Sequence, residues 1–478
     1  MQKFRDMEKR KTIFITITKG ILARNILRTP VLRFLSEEPG VKIIILMQQT
    51  SSVPLPQYFF DEFLSDNVAI EILPPKKTLG WEKAFNYFAS KLVFSRSTKI
   101  NLLYNGRVER RISRASYIFL WVVFKFLGFF PGIKNFCRWL DLKLFSEPVY
   151  CQYFEKYKPD LIFSTCIMSQ FDVAILKEAK RRGIKTISMP RSWDNLDKFF
   201  FRVEPDRFMV QNEIMKKETT KHQLIAPEKI TVIGFPQFDY YIDKSIISPR
   251  QEYCVSRGFN PDLPILFLGS EGAWTKGWDE NIFRAIIESR YAGIIQPCNI
   301  LIRPHPSDCH QHNFHIFDKY QMVFIDDKFR HSDFFNDHWD PSLEDMKDFA
   351  NTLHHCDLSI NFASTLALDA ACFNKPIISV DYGNRFLKGR DISRVIHQTC
   401  HYQWVLETGA VYLAKDESDL MKKINYYLIN PEADSGKRKK LVEKLCYSGQ
   451  DDRYIGRTAR YKLDGQSSKR LAEAVLKS

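Results

Sequence analysis

The chain has 478 residues, which is too many for a single hydrophobic core and fits two domains of about 200 residues each. Apolar residues make up 45% of the sequence and charged residues 26%, a globular composition that excludes an intrinsically disordered chain. The net charge of +14 favours anionic partners such as phosphates or anionic lipid. Because no zinc-finger, RNP or helix-turn-helix pattern accompanies this charge, we expect no nucleic-acid partner.

Strand and helix patterns alternate along the first half of the chain. An apolar strand pattern at 11–18 is followed by helical spacing at 21–38. Further strand patterns occur at 41–47, 68–73, 161–165, 185–188, 207–210 and 229–233. Strands that alternate with helices predict an open parallel sheet, so we expect an N-terminal α/β domain at 1–240.

An aromatic, apolar run at 117–130 lies within a helical insert that we predict at about 107–145. The run is shorter than the roughly 18 residues that a membrane-spanning helix needs, and Gly128 and Pro131 interrupt it. Basic residues flank it on both sides: Arg107, Arg110, Arg111, Arg114, Lys134, Arg138 and Lys143. An aromatic patch with basic flanks is typical of a helix that lies on an anionic membrane surface, and a buried core helix is the alternative.

The cysteines and the N-terminus indicate a location inside the cell. The ten cysteines include no C-x-x-C pair, which fits reduced thiols, and the first residues show no signal-peptide pattern. Together with the aromatic run, this predicts a cytoplasmic protein that associates peripherally with the inner face of the cytoplasmic membrane.

A second series of strand patterns begins after a polar, irregular stretch at 240–261. These patterns occur at 265–268, 298–303, 321–325, 358–361, 377–380 and 410–414. They predict a second α/β domain at 241–440, followed by a basic helical segment at 441–478.

The segment at 360–380 carries the most informative pattern of this second domain. Ser364 and Thr365 stand between a strand and a short helix, at the N-cap, where hydroxyls and backbone N–H groups form an anion site. Asp369 lies one helical turn further along the same face, within reach of a ribose hydroxyl. An ordinary βαβ unit with a capped helix is the alternative.

Two further strand ends predict phosphate contacts. Gly269 and Ser270 open a G-S-E-G loop, where a backbone without a Cβ atom can approach a phosphate closely. Arg303 and His305 belong to an R-P-H-P loop that its prolines stiffen, which holds a guanidinium fork and an imidazole in place for a diphosphate. A plain glycine turn and a structural Arg-Pro turn are the alternatives.

Two strand ends of the first half complete the pattern. One is followed by Gly234, and the other by the run Trp193, Asp194 and Asn195. In their order and spacing, these segments and the R-P-H-P and Ser364 segments resemble the GT-B glycosyltransferases. The resemblance is to bacterial surface-polysaccharide transferases and to the CDP-glycerol glycerophosphotransferase and UDP-GlcNAc 2-epimerase relatives.

The resemblance implies both a fold and a reaction. It implies two Rossmann-like domains that face a cleft, an N-terminal acceptor domain and a C-terminal nucleotide-donor domain, with a crossover helix at the C-terminus. The implied reaction moves a sugar from a nucleotide-activated donor, a substrate and not a cofactor, to a growing glycan or lipid-linked acceptor.

We expect no metal ion in this reaction, because the sequence has no convincing D-x-D pair. The leaving diphosphate would then be stabilised by a helix N-terminus and by cations. Ser364, Thr365, Arg303 and the loop at Gly269 supply these groups, and we expect His305 to take part in catalysis beside them.

An inverting transfer also needs a general base for the acceptor hydroxyl. Asp194 is the first candidate and Asp172 the second. Trp193 is expected to stack on a sugar face, while Asn195 bonds a hydroxyl. The alternative for Asp194 is that it caps a helix that begins at Asn195.

Gly20 and Arg24, in the first β-turn-α element, are expected to line the acceptor side. Three other functions stay open: polyol-phosphate transfer from a CDP-linked donor, nucleotide-sugar epimerisation, and a non-catalytic assembly role for a degenerate transferase fold. Asp369 stands where many relatives carry Glu, which weakens the case for ribose binding.

Overall fold

The computed structural model describes residues 11–78, 80–104, 114–272, 277–306, 312–383, 386–387, 390–446 and 463–478. The chain forms two compact units. The first comprises Met1–Gln237, Ser332–Asp340 and Gln466–Ser478, and the second comprises Phe238–His331 and Pro341–Gly465. Of the predicted helical insert, 107–113 lies outside the described residues.

The first unit is built on a seven-stranded parallel sheet with the order β3-β2-β1-β4-β5-β6-β7. Its strands are β1 (Lys11–Ile17), β2 (Val41–Gln48), β3 (Val68–Leu73), β4 (Leu161–Ser164), β5 (Lys185–Ser188), β6 (Arg207–Val210) and β7 (Ile230–Val232). Successive residues of β1 such as Phe14 and Ile15 are all fully buried. Burial on both faces requires helices on both sides of the sheet, which is why these strands are apolar runs without alternation.

The helices of the first unit include a pair that forms the insert. They are α1 (Gly20–Leu22), α2 (Pro30–Ser36), α3 (Gln57–Phe63), α4 (Gly80–Ser90), α5 (Arg96–Tyr104), α6 (Arg114–Phe129), α7 (Pro131–Leu144), α8 (Pro148–Tyr157), α9 (Gln170–Arg181) and α10 (Glu213–Glu218). Within the described residues, none of the helices is long and apolar enough by itself to cross a membrane. The segments Ile118–Phe129 and Pro131–Leu144 reach that length and composition only together, with a bend of 90° between them.

The second unit repeats the architecture with a six-stranded parallel sheet of order β10-β9-β8-β11-β12-β15. Its strands are β8 (Ile265–Gly269), β9 (Asn299–Arg303), β10 (Val323–Ile325), β11 (Leu358–Asn361), β12 (Ile377–Val380) and β15 (Val411–Ala414), while β13 (Phe386–Leu387) and β14 (Arg390–Asp391) form a separate antiparallel pair. Its helices are α11 (Arg250–Val255), α12 (Trp278–Tyr291), α13 (Leu343–His355), α14 (Leu366–Cys372), α15 (Ile392–His397), α16 (Cys400–Leu406), α17 (Glu417–Ile429) and α18 (Ser435–Leu441).

The chain returns to the first unit in its last helix, α19 (Ser467–Leu476). Leu471 and Val475 of α19 are fully buried in the core that β1 and β2 build. The Lys11 ammonium donates a hydrogen bond to the Leu476 carbonyl at 2.8 Å, and Arg470 donates one to the Ile233 carbonyl at 3.0 Å. The prediction of two Rossmann-like α/β domains with a C-terminal crossover helix is therefore confirmed.

Candidate functional site

Three predicted loops of the second unit meet at one edge of its sheet. The chain leaves the central strands β8 and β11 in opposite directions along the sheet, and ligands of such sheets bind beyond the carboxyl ends of the strands at this point. Gly269 pairs with Arg303 on β9, and the Ser270 amide donates to the Arg303 carbonyl at 3.0 Å. A Cβ atom at Gly269 would lie 2.3 Å from a terminal methyl group of Leu366, so a larger residue here would force that side chain, at the start of α14, to move.

The turn between β11 and α14 has an unusual backbone. Ala363 adopts a left-handed conformation with φ 55°, which costs a residue other than glycine about 1–2 kcal/mol. The Ser379 hydroxyl on β12 accepts a hydrogen bond from the Ala363 amide at 2.8 Å. Ser364 and Thr365 follow, and Thr365 is the N-cap of α14, although its side chain makes no capping bond. Strained backbone held by its surroundings is a frequent feature of binding sites.

A buried relay behind this turn was not predicted from the sequence. His397 lies between two partners, with its Nε2 atom 2.8 Å from the Ser379 hydroxyl and its Nδ1 atom 3.1 Å from an Asp381 carboxylate oxygen. Ser379 is fully buried, so this Ser-His-Asp arrangement cannot act as a nucleophile. It instead fixes the hydroxyl that holds the Ala363 amide. No sequence signal links His397 to Ser379, because His397 comes from α15.

Arg303 is committed to partners within the second unit. Its guanidinium pairs with Asp326 at 2.6 Å and stacks on the rings of Phe329 and Phe349, with ring-centre distances of 4.9 and 4.8 Å. Burial raises the pKa of the Asp326 carboxyl, and the neighbouring Arg303 charge opposes that shift. The guanidinium is thus fixed in position at the carboxyl end of β9, and a diphosphate there would share it with Asp326.

His305 and Ser270 also lie at this edge, with limited freedom. Burial lowers the pKa of His305 to about 4, so at neutral pH its ring is uncharged and can donate one hydrogen bond. The Ser270 hydroxyl donates to Asp279 on α12 at 2.5 Å and accepts from the Gly272 amide at 3.1 Å. The Ser270 hydroxyl and its backbone amide, which donates to the Arg303 carbonyl, therefore both have partners within the second unit, and a contact between Ser270 and a phosphate stays a prediction.

Asp369 has a hydrogen-bond partner in the position where the sequence predicts a ribose contact. The Tyr241 hydroxyl donates to the Asp369 carboxylate at 2.7 Å, and the carboxylate is largely buried on α14. A ribose hydroxyl would have to join this hydrogen bond or replace it. The role of Asp369 at a ribose stays a prediction.

In the first unit, Asp194 lies in a loop and not at a helix start. The residues from Arg191 to Phe199 form turns, so the alternative that Asp194 caps a helix beginning at Asn195 is wrong. Asp194 forms an ion pair with Lys198 and accepts a hydrogen bond from the side-chain Nδ2 of Asn195 at 3.1 Å. Its carboxylate is partly exposed, so its role as a general base stays a prediction.

The neighbours of Asp194 are less accessible than the sequence indicates. Trp193 is only 2% exposed, so its buried ring does not present a face on which a sugar could stack. The Asn195 side chain is also buried, and its oxygen accepts from the Ser192 amide at 3.0 Å. Both residues shape the loop that carries Asp194.

Gly20 and Arg24 contact a segment of the second half of the chain. The Gly20 amide donates to the Asp337 carboxylate at 3.0 Å, and a Cβ atom at Gly20 would lie 1.3 Å from the Trp339 carbonyl oxygen. The Arg24 guanidinium stacks on the Trp339 ring at 4.2 Å. These contacts give both residues a packing role that the sequence does not reveal, and their expected place beside an acceptor stays a prediction.

Asp172, the second candidate base, is fully buried between β1 and β4. It accepts hydrogen bonds from Thr16 and, at 2.8 Å, from the Ser164 hydroxyl. Burial raises the pKa of its carboxyl to about 6. A carboxyl without exposed surface cannot reach a substrate, so its place in the structure favours a role in joining the two strands.

The sequence and the structure were compared with known proteins, and only the structure finds similar ones. No protein family and no curated protein matches the sequence. Among solved structures, a protein from Listeria monocytogenes that is assigned as a UDP-N-acetylglucosamine 2-epimerase has a TM-score of 0.53 at 12% identity, and the match covers 99% of this chain and 97% of that protein. A glycosyltransferase from Rickettsia africae has a TM-score of 0.51 at 10% identity, with 98% and 99% covered. The UDP-GlcNAc 2-epimerase of Neisseria meningitidis bound to UDP-GlcNAc has a TM-score of 0.51 at 13% identity, with 98% and 100% covered.

The chain has the GT-B fold. The resemblance inferred from the sequence is confirmed at this level, and at such low identity the likeness says nothing of substrate. Within the second unit, the parallel sheet brings five predicted donor-binding residues together at the carboxyl ends of its strands: Gly269, Ser270, Arg303, Ser364 and Thr365.

Proposed function

We propose that the protein is a glycosyltransferase that moves a sugar from a nucleotide-activated donor to a growing, lipid-linked surface glycan, with inversion and without a metal ion. The observation that carries the donor half of this proposal is the turn at Ala363, whose left-handed backbone is held by Ser379. Backbone strain of this kind persists only where the surroundings impose it, and binding sites are where it is most often found.

The elements around this turn fit the chemistry of a leaving diphosphate. The positive end of the α14 dipole, the backbone of the loop at Gly269 and the Arg303 guanidinium would share its charge. His305 is neutral at physiological pH and would contribute a hydrogen bond rather than a charge. In the first unit, Asp194 is the proposed base because its carboxylate is partly exposed and lies in a loop that follows β5.

The insert in the first unit supports a lipid-linked acceptor. In α7 three of the four charged side chains face inward: Lys134, Arg138 and Asp141 are buried, while Lys143 is exposed. Asp141 pairs with Arg202 at 2.5 Å and with Lys177 at 2.8 Å, while the Arg138 guanidinium donates to the Phe201 carbonyl at 3.0 Å. This polar network fixes α7 to the body of the first unit.

The outward face of α7 carries apolar side chains instead. Phe136 is 57% exposed and Trp139 is 54% exposed, and their rings stack on each other at 5.8 Å. A helix with its charges inside and its aromatic residues outside is inverted relative to a helix on a water-facing surface.

The neighbouring helix α6, which is bent by 90° from α7, also carries exposed apolar side chains. Phe126 is 63% exposed and Phe129 is 80% exposed, and Ile118, Phe119 and Val122 are also exposed on α6. We call the exposed faces of α6 and α7 the aromatic surface. Exposed Lys125 and Lys143 lie among these residues, and the basic run of the sequence before α6 adds charge. Apolar area with cations beside it matches the inner leaflet of a membrane, and we propose that this surface rests there.

Epimerisation is a second candidate function, because epimerases and a glycosyltransferase have similar TM-scores to this chain. The aromatic surface argues against it, since an enzyme that acts only on a small soluble nucleotide sugar gains nothing from membrane attachment. Polyol-phosphate transfer from a CDP-linked donor would use the same donor elements and the same surface.

Thermal-shift measurements with UDP, CDP, GDP and CMP test the proposal. A transferase or an epimerase should show a raised Tm with one of them, and the preferred base would name the donor class. Incubation of the matching nucleotide sugar with and without membrane lipid extract then separates the two functions. Nucleotide release that depends on lipid supports transfer, and isomerised donor without lipid supports epimerisation. A protein whose Tm responds to none of the four would be the non-catalytic alternative.

A further inference from the structure

One group of three side chains in the described part of the chain has the composition of a metal site, and it lies outside the proposed donor site. It consists of His312, His315 and Asp327 in the second unit. Asp327 follows the edge strand β10. His312 precedes a short 3₁₀ turn, Phe314–Phe317, and His315 lies within it. One nitrogen of each ring and one carboxylate oxygen all lie within 4.8 Å of one another.

The distances fit a divalent cation with small adjustments. The Asp327 oxygen lies 3.5 Å from Nε2 of His312 and 2.8 Å from Nε2 of His315. Zinc bonds of about 2.0–2.2 Å at tetrahedral angles put two donor atoms roughly 3.4 Å apart. His312 and Asp327 already have this separation, and the exposed His315 ring would have to move away from Asp327 by about 0.6 Å to reach it.

The second nitrogen of His315 has the partner that metal-bound histidines usually have. Its Nδ1 atom lies 2.9 Å from an Asp318 carboxylate oxygen. A carboxylate behind a histidine holds the proton on the far nitrogen and turns the near nitrogen toward the metal. Such a carboxylate–histidine–metal arrangement is a second observation in favour of a ligand, besides the grouping of the three side chains.

The His312 ring indicates what metal binding would change. The Phe314 amide donates a long hydrogen bond of 3.3 Å to its Nδ1 atom, which places the ring proton on Nε2 beside Asp327. Binding of a cation at Nε2 would move that proton to Nδ1 and give up this weak bond. The three side chains would then gain three metal bonds and give up two hydrogen bonds, this one and the bond of 2.8 Å between His315 Nε2 and Asp327.

We propose that His312, His315 and Asp327 bind one divalent cation of the zinc class, with Asp318 as the residue that orients His315. Two imidazoles and one carboxylate suit Zn²⁺, Co²⁺ or Ni²⁺ better than Mg²⁺ or Ca²⁺, which prefer oxygen ligands. The cation would join the 3₁₀ turn to the end of β10, and it is distinct from the metal-independent chemistry proposed for the donor site. The test of this metal site is therefore independent of the test of the transferase function.

The test uses full-length protein without a histidine tag, with Zn²⁺ competed against a chromophoric chelator. We expect one tight equivalent in the wild type and at least a tenfold weaker affinity in His315→Ala and Asp327→Asn. Loss of the orienting carboxylate in Asp318→Asn should weaken binding by about 10–100-fold. The visible absorption of bound Co²⁺ should be lost in His315→Ala.

His338→Ala is the matched control, because His338 lies 3.1 Å from Asp333 in an exposed His–carboxylate pair that belongs to no group of three among the described residues. This variant should bind Zn²⁺ as the wild type does. His315 and Asp318 are exposed, so their variants should fold, and equal melting curves in EDTA would establish this. Equal Zn²⁺ affinity in wild type and His315→Ala would overturn the proposal, and so would an equal loss in His338→Ala.

Discussion

Removing Phe126 and Phe129 together should release the protein from membranes. These side chains are 63% and 80% exposed, so together they offer about one and a half Phe side chains to a bilayer. Full burial of one Phe is worth about 1.5–3 kcal/mol, so the pair contributes about 2–4 kcal/mol. We therefore expect Phe126→Ser/Phe129→Ser to weaken binding to vesicles by at least thirtyfold.

The assay is co-sedimentation with vesicles of anionic or neutral lipid at two salt concentrations. Salt should weaken the part that comes from Lys125, Lys143 and the basic run before α6, because screening acts on charges near the leaflet. The Phe residues should account for a part that salt does not remove. Ile429→Ser is the matched control, since Ile429 is 62% exposed, belongs to the second unit and is not one of the residues of the aromatic surface.

If the double Phe variant stays folded and still binds anionic vesicles as the wild type does, the account of the aromatic surface is refuted. An equal loss in Ile429→Ser would refute it as well, because the loss would then reflect general exposure and not this surface.

Three further predictions concern the two units. Arg303→Ala and His305→Ala should each lower donor affinity by about tenfold to a hundredfold in equilibrium titrations. Arg284→Ala is the control, because Arg284 also pairs with a carboxylate and stacks on a Phe ring, and this variant should keep the donor affinity of the wild type. An equal loss of donor affinity in Arg284→Ala would contradict a specific role of Arg303 and His305 in donor binding. Asp194→Asn should reduce the transfer rate by about a hundredfold or more at unchanged donor affinity, and a normal rate would remove Asp194 as the base. Burial lowers the pKa values of His305 and His355 from 6.5 to about 4, so the unfolded chain binds more protons between these values. Their contribution to the free energy of unfolding should therefore be at its full value above pH 6.5 and should decrease as the pH falls toward 4. Urea titrations at several pH values measure this. If the free energy of unfolding of the wild type falls no more than that of His355→Gln over this range, the prediction is contradicted.

The sequence predicts the fold well because apolar runs report burial directly. Every strand pattern in both halves corresponds to a strand of the two sheets, since strands covered on both faces are mostly apolar. The grouping of Gly269, Arg303 and Ser364 was also predictable in outline, because the carboxyl ends of neighbouring parallel strands share an edge.

What the sequence does not predict depends on contacts between distant residues. Asp337 binds the Gly20 amide from 317 positions away, so the packing role of Gly20 has no local signal. In α7 the helical period shows two faces but not which one is buried. The charged face turns inward because Lys177 and Arg202 neutralise Asp141, and neither partner can be identified from spacing.

The same limit applies to the partners of predicted site residues. Trp193 has the residue type of a sugar platform, but its burial follows from the tertiary packing of its loop. His397 reaches Ser379 from a separate helix.

The central claim is that the turn at Ala363 binds the diphosphate of a nucleotide-activated donor. The most direct test is calorimetric titration of the nucleoside diphosphate that gives the largest thermal shift into wild type, Ser379→Ala and Ser359→Ala. Ser379→Ala leaves the Ala363 amide without its acceptor, at a cost of about 1–3 kcal/mol. Ser359 is buried on the adjacent strand β11, and its hydroxyl has no hydrogen-bond partner among the described residues, so its variant removes the same atom without loosening the turn. The account predicts at least tenfold weaker binding in Ser379→Ala and wild-type binding in Ser359→Ala, whereas equal affinity in all three proteins would contradict it.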